Sequence, residues 1–124
     1  MSDSTQAKRT AIETFLASYK VKDVVTRIAL FADDILFEDP VGSPPVVGKS
    51  AMNQYFVDTV ASGWEIDLVP NKIFVNGTEA ASITQVTAGV GSHPPVTSLI
   101  VQHFVFDKTG KFKSLRVFMD AAPT

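Results

Sequence analysis

The sequence predicts a single α+β domain in which helices come first and antiparallel strands follow. Apolar residues repeat at helical spacing in the first half of the chain and alternate at strand spacing after Gly63. Helices followed by a run of consecutive strands are typical of α+β domains rather than of parallel winding. Because 124 residues suffice for one core but hardly for two, we expect residues 1–124 to form one domain.

The first two helices are predicted near the N-terminus. The first covers residues 7–19, with Phe15 and Tyr19 one turn apart on its buried face. The second begins after Asp23, whose side chain can cap it, and its apolar positions extend to Phe31. The acidic pair at 33–34 is then interpreted as a polar helix end or turn.

A strand over residues 35–37 separates these helices from a third. Gly48 introduces the third helix, Ser50 is its predicted N-cap, and Gly63 ends it. Its inner face is predicted to consist of Met52, Tyr55, Phe56, Thr59 and Val60.

The remainder of the chain is predicted to form strands. Asn76-Gly77 is a strong hairpin signal, and residues 108–110 form a second turn. The predicted strands cover residues 65–69, 72–75, 80–88, 96–107 and 111–120. Helices packed across the concave side of such a bent sheet would leave a cone lined by the first helix, the third helix and the inward strand residues.

The stretch Glu38-Asp39-Pro40 stands where an apolar strand meets a rigid turn. Pro40 lacks an N–H and biases Asp39 towards an extended backbone, so the strand should stop there. Neighbouring strand side chains point to opposite faces, so only one of the two acids can face the cone. Phe37 shares a face with Asp39 and would raise the pKa of its carboxyl, making it a better proton acceptor. The alternative is turn chemistry, with the carboxylate bonding nearby backbone N–H groups.

Residues 31–49, FADDILFEDPVGSPPVVGK, resemble the ketosteroid isomerases (steroid Δ-isomerases) and the wider NTF2-like/SnoaL-like superfamily. The resemblance implies an NTF2-like/cystatin-like cone, in which three N-terminal helices pack on a strongly bent, mostly antiparallel sheet that encloses an apolar pocket. It also implies an enzyme that moves a C=C bond within its substrate, with Asp39 as the general base that carries a proton between two carbons.

The residues that would stabilise the enolate oxygen depart from the ketosteroid isomerase pattern. Where those isomerases have a Tyr on the first helix and a protonated Asp on a late strand, ungapped counting places Phe15 and Gln102. A Phe ring cannot donate, whereas the Gln amide can. Either Gln102 is the main donor, aided by Tyr19 or Tyr55, or the site has lost this chemistry and the chain is a non-catalytic small-molecule binder.

The last two strands are predicted to supply an apolar wall. One strand presents Ile100, Gln102 and Phe104 on one face, and its partner presents Leu115, Val117 and Met119. With Phe15, Tyr19, Tyr55 and Phe56, these residues form the predicted substrate-binding set. His103 and Asp120 fall on the opposite faces; they would be the catalytic residues of a third alternative, a SnoaL-like cyclase or hydratase that uses late-strand residues.

Composition narrows the classes of partner. The net charge of −2 and the scattered lysines argue against nucleic acid and anionic membranes, and no apolar run is long enough to cross a bilayer. There is no Cys, and His93 and His103 lack metal-ligand spacing, so we expect neither a metal nor a cofactor. Nine Phe residues suit an apolar ligand, and the resemblance to ketosteroid isomerases implies a steroid-like one.

The sequence also predicts a homodimer in the cytoplasm. An outer sheet face that carries Val101, Val105, Phe112 and Phe118 would be too apolar to leave bare, and the resemblance points to pairing through the sheets. The first residues lack the charged and apolar regions of a signal peptide, which favours a cytoplasmic location.

Overall fold

A computed structural model describes residues 2–120 of the chain. Three helices and six strands follow in the order α1 (Ser2–Ala17), α2 (Val24–Ile28), β1 (Phe31–Glu38), β2 (Val46–Val47), α3 (Lys49–Ala61), β3 (Trp64–Asn76), β4 (Glu79–Val90), β5 (Val96–Phe106) and β6 (Phe112–Phe118). The predicted α+β class, with helices preceding most of the strands, is confirmed.

The six strands form one sheet in the order β2-β1-β6-β5-β4-β3. Every pair is antiparallel except β1 with β6, which run parallel. Strands β3 to β6 follow one another through short turns, whereas β1 and β6 are separated in the chain by α3 and four strands. This mixed sheet, with helices on one side, has the form of the NTF2-like cone.

The core is rich in aromatic rings that meet edge to face. Phe15, at the centre, is 1% exposed and lies 5.3 to 5.9 Å, between ring centroids, from four other rings. Those rings belong to Tyr19, Phe31, Phe104 and Phe112. Edge-to-face pairs of this kind add stabilisation beyond the apolar area that they bury.

The helices differ from prediction mainly at their ends. Helix α1 ends at Ala17, so Tyr19 lies in the turn that follows it. The predicted Asp23 cap is confirmed, since its carboxylate accepts from the backbone N–H of Thr26 at 3.0 Å. Helix α3 is capped by Gly48, which has φ +91°, and not by Ser50, which lies inside the helix.

The second helix is shorter than predicted. It ends at Ile28, and Phe31 opens β1 instead, paired with Phe112 of β6. The backbone N–H of Phe112 also donates to the carbonyl of Leu30 at 2.9 Å. Pairing with a distant strand therefore overrides the helical spacing, and the acidic pair Asp33-Asp34 is exposed within a strand rather than at a helix end.

The predicted strands are present with longer bounds. The two segments expected at 65–69 and 72–75 form the single strand β3, which has an irregularity between Pro70 and Lys72. The Asn76-Gly77 hairpin is confirmed, with Gly77 at φ +62°. Strand β2, which pairs with Leu36 and Phe37, was not predicted, because two residues carry no periodicity.

Phe112 is buried, not on the outer face where strand alternation placed it. Its partner is Phe106, whereas Ser114 pairs with Val105, so β6 contains one extra residue at this point. Such a bulge shifts the alternation by one and turns Phe112 into the core. Val101 and Phe118 are each 41% exposed on the outer face, as predicted.

None of the helices among the described residues is long and apolar enough to cross a membrane.

Candidate active site

A cavity of about 400 Å³ lies between α1, α3 and the concave face of the sheet. We call its buried lining the floor, which consists of Phe15, Phe37, Leu68, Ile100, Gln102, Leu115 and Val117. Its exposed lining, the rim, consists of Asp39, Tyr55, Trp64, Ser98 and Met119. Half-buried residues complete the wall, namely Tyr19, Thr59, Ile66, Val86 and Ala88. Mostly apolar walls with few polar groups are typical of small-molecule sites.

Asp39 lies at the rim because β1 ends just before it. Glu38 points to the other side of the sheet, where its carboxylate accepts from Nε of Arg116 at 2.9 Å. The two acids therefore face opposite sides, as strand alternation predicts. The backbone N–H of Val41 donates to the carbonyl of Val117 at 2.8 Å, which ties the turn after Pro40 to β6.

The Asp39 carboxylate has the environment of a proton acceptor. Although the side chain reaches solvent at the rim, the surrounding cavity walls partly desolvate the carboxylate and raise its pKa above the ordinary value of 3.8. Within residues 2–120, no N–H or O–H group donates to this carboxylate, so it does not have the bonding expected of a turn Asp. Its place at the rim leaves it accessible to a molecule in the cavity.

Two phenols accompany this carboxylate. Burial raises the pKa of the Tyr19 hydroxyl, and the negative charge of Asp39 raises it further, against the opposing effect of Arg27. Burial and then the Asp39 charge also raise the pKa of Tyr55. Both hydroxyls are therefore neutral hydrogen-bond donors near Asp39 at ordinary pH.

Gln102 is the one polar side chain of the floor. It is 3% exposed, and its Oε1 accepts hydrogen bonds from Ser82 Oγ and Thr84 Oγ1, each at 2.8 Å. Its Nε2 has no partner among the described residues. The two N–H groups of the amide are thus available to a molecule in the cavity. A residue that binds a ligand oxygen must have such free donors.

Arg27 packs against Tyr19 on the side away from the cavity, and its burial was not predicted from the sequence. It is 2% exposed, and its guanidinium stacks on the rings of Tyr19 and Phe56, with Cζ 3.7 and 4.6 Å from their centroids. It donates to the hydroxyl of Ser18 at 2.9 Å and to the Ser18 carbonyl at 3.2 Å. No carboxylate within residues 2–120 forms a salt bridge with it. The sequence has no signal for this burial, because an Arg in the last turn of a helix is ordinarily solvated.

The structure brings most of the predicted residues together. Asp39 and Gln102 line the cavity with seven others of the predicted set, namely Phe15, Tyr19, Tyr55, Ile100, Leu115, Val117 and Met119. Phe56 and Phe104 do not line it, because neighbouring rings cover them: Phe104 packs against Phe15, and Phe56 against Tyr19.

Sequence reasoning missed the wall supplied by β3 and β4. Trp64, Ile66 and Leu68 line the cavity from alternate positions of β3, and Val86 and Ala88 do so from β4. The alternation of polar and apolar residues in β3 indicated an apolar face. Whether that face lines the cavity depends on how the sheet bends around the helices, which the alternation does not specify.

His103 and Asp120 lie away from the cavity. His103 Nε2 is 2.7 Å from Oε1 of Glu79 on the outer face of the sheet, and Asp120 is exposed beyond the end of β6. Neither lines the cavity. Within residues 2–120, no three His, Asp or Glu side chains are grouped so that they could hold a metal ion.

The fold and cavity define a protein of the NTF2-like superfamily. Residues 12–115 match the family model of the SnoaL-like domain, and the chain belongs to that family.

Three solved structures illustrate the similarity. The epoxide hydrolase/cyclase-like enzyme SalBIII, described for its role in pyran ring formation in the polyether salinomycin, is 24% identical with a TM-score of 0.80, covering 91% of this chain and 90% of its own. An LEH-like epoxide hydrolase of M. tuberculosis is 20% identical with a TM-score of 0.84, covering 94% and 84%. A computationally designed 17-OHP binder is 20% identical with a TM-score of 0.82, covering 92% and 93%. At these identities the similarity establishes the fold alone.

Proposed function

We propose that the protein is an enzyme of ketosteroid-isomerase type, which moves a proton on an apolar ketone or polycyclic substrate with Asp39 as the base. One observation carries the proposal: among the described side chains, those of residues 4–120, Asp39 is the only carboxylate that lines an otherwise largely apolar cavity. Its raised pKa and its freedom from protein hydrogen bonds favour a proton acceptor.

The reaction needs a base and a donor. Asp39 takes a proton from the carbon next to the ketone, and the electron pair of that C–H bond forms the enolate. The same proton then returns to a different carbon, so the C=C bond moves and Asp39 is regenerated. The enolate oxygen accepts hydrogen bonds from the Gln102 amide, aided by the hydroxyl of Tyr19 or Tyr55. A cavity of about 400 Å³ has room for a polycyclic ligand of this kind.

The test is a spectroscopic assay with a 5-ene-3-ketosteroid, in which isomerisation produces a conjugated enone that absorbs strongly. The wild-type protein is assayed at concentrations up to that of the substrate, and its rate is compared with that of Asp39→Asn. Glu38→Gln is the matched control, because it removes the neighbouring carboxylate that faces Arg116 instead of the cavity. We expect activity in the wild type and control only. Equal activity in Asp39→Asn would refute the role of Asp39, and no wild-type activity would refute this substrate class.

A second candidate is a SnoaL-like cyclase or hydratase, favoured by the fold shared with SalBIII and the LEH-like epoxide hydrolase. Because His103 and Asp120 lie outside the cavity, Asp39 with Tyr19 or Tyr55 would have to supply its acid and base. Turnover of an epoxide substrate without any ketosteroid isomerisation would favour this candidate.

A third candidate is a non-catalytic small-molecule binder. The designed 17-OHP binder supports it, because that protein shares the fold and is described as a binder. Tight ketone binding that survives Asp39→Asn, with no turnover of any substrate, would favour it.

A homodimer and a cytoplasmic location are part of the proposal. Val101 and Phe118 on the outer sheet face are half exposed, and pairing through this face would cover them. Light scattering tests the dimer: a monomeric mass for the wild type would refute it, and Val101→Lys should halve the mass if the sheets pair.

A further inference from the structure

Three buried polar side chains meet at Gln102, the polar residue of the floor; of the three, only Gln102 lines the cavity. Ser82 and Thr84 are both 0% exposed, and each donates to Oε1 of Gln102 at 2.8 Å. The register of β4 and β5 places Ser82 directly opposite Gln102, and Thr84 is two residues further along the same face. The oxygens of Ser82 and Thr84 are themselves 3.1 Å apart.

Counting hydrogens shows which way the Gln102 amide must face. With Oε1 towards the hydroxyls, it accepts both hydroxyl hydrogens on its two lone pairs, and the NH₂ group faces the cavity. If the amide were reversed, its NH₂ would donate to both hydroxyls. One hydroxyl hydrogen could then go to the other hydroxyl, but the remaining one would have no acceptor among the described residues. A buried donor without a partner is unfavourable, so the first arrangement is retained.

We propose that Ser82 and Thr84 are positioning residues that hold the Gln102 amide with its N–H groups towards the ligand. The subsite therefore selects a ligand atom that only accepts hydrogen bonds, such as a ketone oxygen, and rejects an N–H donor at the same place. This deepens the proposed function and rests on the ligand site in the cavity, but not on proton transfer by Asp39.

The surroundings make this selection effective. The rest of the floor is apolar, so a donor on the ligand that met the Gln102 N–H groups would find no acceptor there. A buried hydrogen-bonding group discriminates between ligands mainly because it is left without a partner, at a cost in binding free energy, when the mismatched ligand binds.

Binding of three tricyclic probes of the same shape tests the proposal. 9-Fluorenone presents an acceptor, carbazole presents an N–H donor at the corresponding ring position, and fluorene presents neither. Quenching of Trp64, the chain's single Trp and a rim residue, reports binding. The variants are Thr84→Val and the double variant Ser82→Ala with Thr84→Val. Thr84→Ser keeps a hydroxyl at this position. Thr87→Val is the matched control on β4, because Thr87 bonds Thr97 of β5 and neither residue lines the cavity.

We expect the wild type and Thr87→Val to bind fluorenone about tenfold more tightly than carbazole, the worth of one good hydrogen bond. The double variant should lose this preference, because the amide is free to turn its oxygen to the cavity, and carbazole should then bind more tightly than it does to the wild type. Thr84→Val and Thr84→Ser should both keep the preference, because the Ser82 hydroxyl remains and Oε1 of Gln102 is still its only acceptor.

A merely structural role gives a different pattern. All three affinities would then fall together in the double variant, and the fluorenone-to-carbazole ratio would not move, which overturns the positioning role. If that double variant does not fold, Ser82→Ala with Thr84→Ala, which also removes both hydroxyls, decides the matter. Failure of every probe to bind the wild type would overturn the ligand site and this subsite together, whereas ketone selection without isomerase activity would leave the subsite standing.

Discussion

Replacing Gln102 by Leu is the most informative single perturbation of the floor. The substitution keeps the volume of the side chain but removes the oxygen to which the hydroxyls of Ser82 and Thr84 donate. The Thr84 hydroxyl can turn to Ser82 Oγ, 3.1 Å away, but the Ser82 hydroxyl is then left without an acceptor. One buried unsatisfied donor costs about 1–3 kcal/mol of unfolding free energy.

Removal of all three polar side chains together should cost little unfolding free energy. Replacing both partners of a hydrogen bond by apolar groups of the same shape is nearly neutral, so Ser82→Ala, Thr84→Val and Gln102→Leu together should restore most of the stability that Gln102→Leu loses. The difference between the sum of the separate effects and the combined effect, about 1–3 kcal/mol, is the coupling within the network.

Urea unfolding of the wild type, Gln102→Leu, the pair of hydroxyl variants and the combined variant measures this coupling. At roughly 4 °C per kcal/mol for a chain of this size, the melting temperature of Gln102→Leu should fall by several degrees. Gln85→Leu is the control, since Gln85 is exposed on the same strand as Ser82. A Gln102→Leu variant as stable as the wild type, with effects that simply add, would refute the hydrogen-bonding scheme.

Three further predictions concern Asp39, Phe15 and Arg27. Desolvation raises the pKa of Asp39, so the contribution of Asp39 to the stability of the wild type falls as pH rises from 3.8 through the raised pKa. Asp39→Asn should therefore be more stable than the wild type at neutral pH, and this difference should disappear in acid. Thermal unfolding at several pH values measures the difference, and the reverse trend would contradict the prediction. Phe15→Tyr adds a phenol to the floor and should raise the isomerase rate about a hundredfold, because one aligned donor stabilises the transition state by roughly 3 kcal/mol. An unchanged rate with lower stability would mean that the added hydroxyl points into the aromatic cluster. Arg27→Met should change the unfolding free energy by less than about 1 kcal/mol, because it removes a buried cation that has no carboxylate partner, and the Ser18 hydroxyl still donates to the Phe15 carbonyl at 2.6 Å. Arg27→Lys should cost about 1–3 kcal/mol, because it buries a cation that cannot stack on the rings and bond Ser18 in the same way. Urea unfolding that ranked these two variants in the opposite order would contradict the role of stacking.

Local signals predicted a large part of the fold and the position of Asp39. Asp39 was expected at a strand end facing a cavity, because a proline ends the strand and alternation separates it from Glu38, and the structure has this arrangement. The Asn76-Gly77 hairpin followed from the preference of one turn type for those residues. Each of these signals depends on residues close together in the chain.

The errors fall where distant segments meet. Phe31 continues a helical pattern but joins β1, because its partner Phe112 is on β6. Phe112 in turn is buried through a bulge that no periodicity reveals.

The sequence by itself determined the order of helices and strands, the apolar character of the cone and the position of a carboxylate at the end of β1. Only the tertiary structure decided what surrounds that carboxylate. The hydroxyls that orient Gln102 are 18 and 20 residues away in the chain, and their contact depends on the register of β4 with β5. The burial of Arg27 depends on rings that α3 and the turn after α1 bring to it. Periodicity specifies which face of an element is apolar, but the partner across the core is set by packing between elements, which a local pattern does not encode.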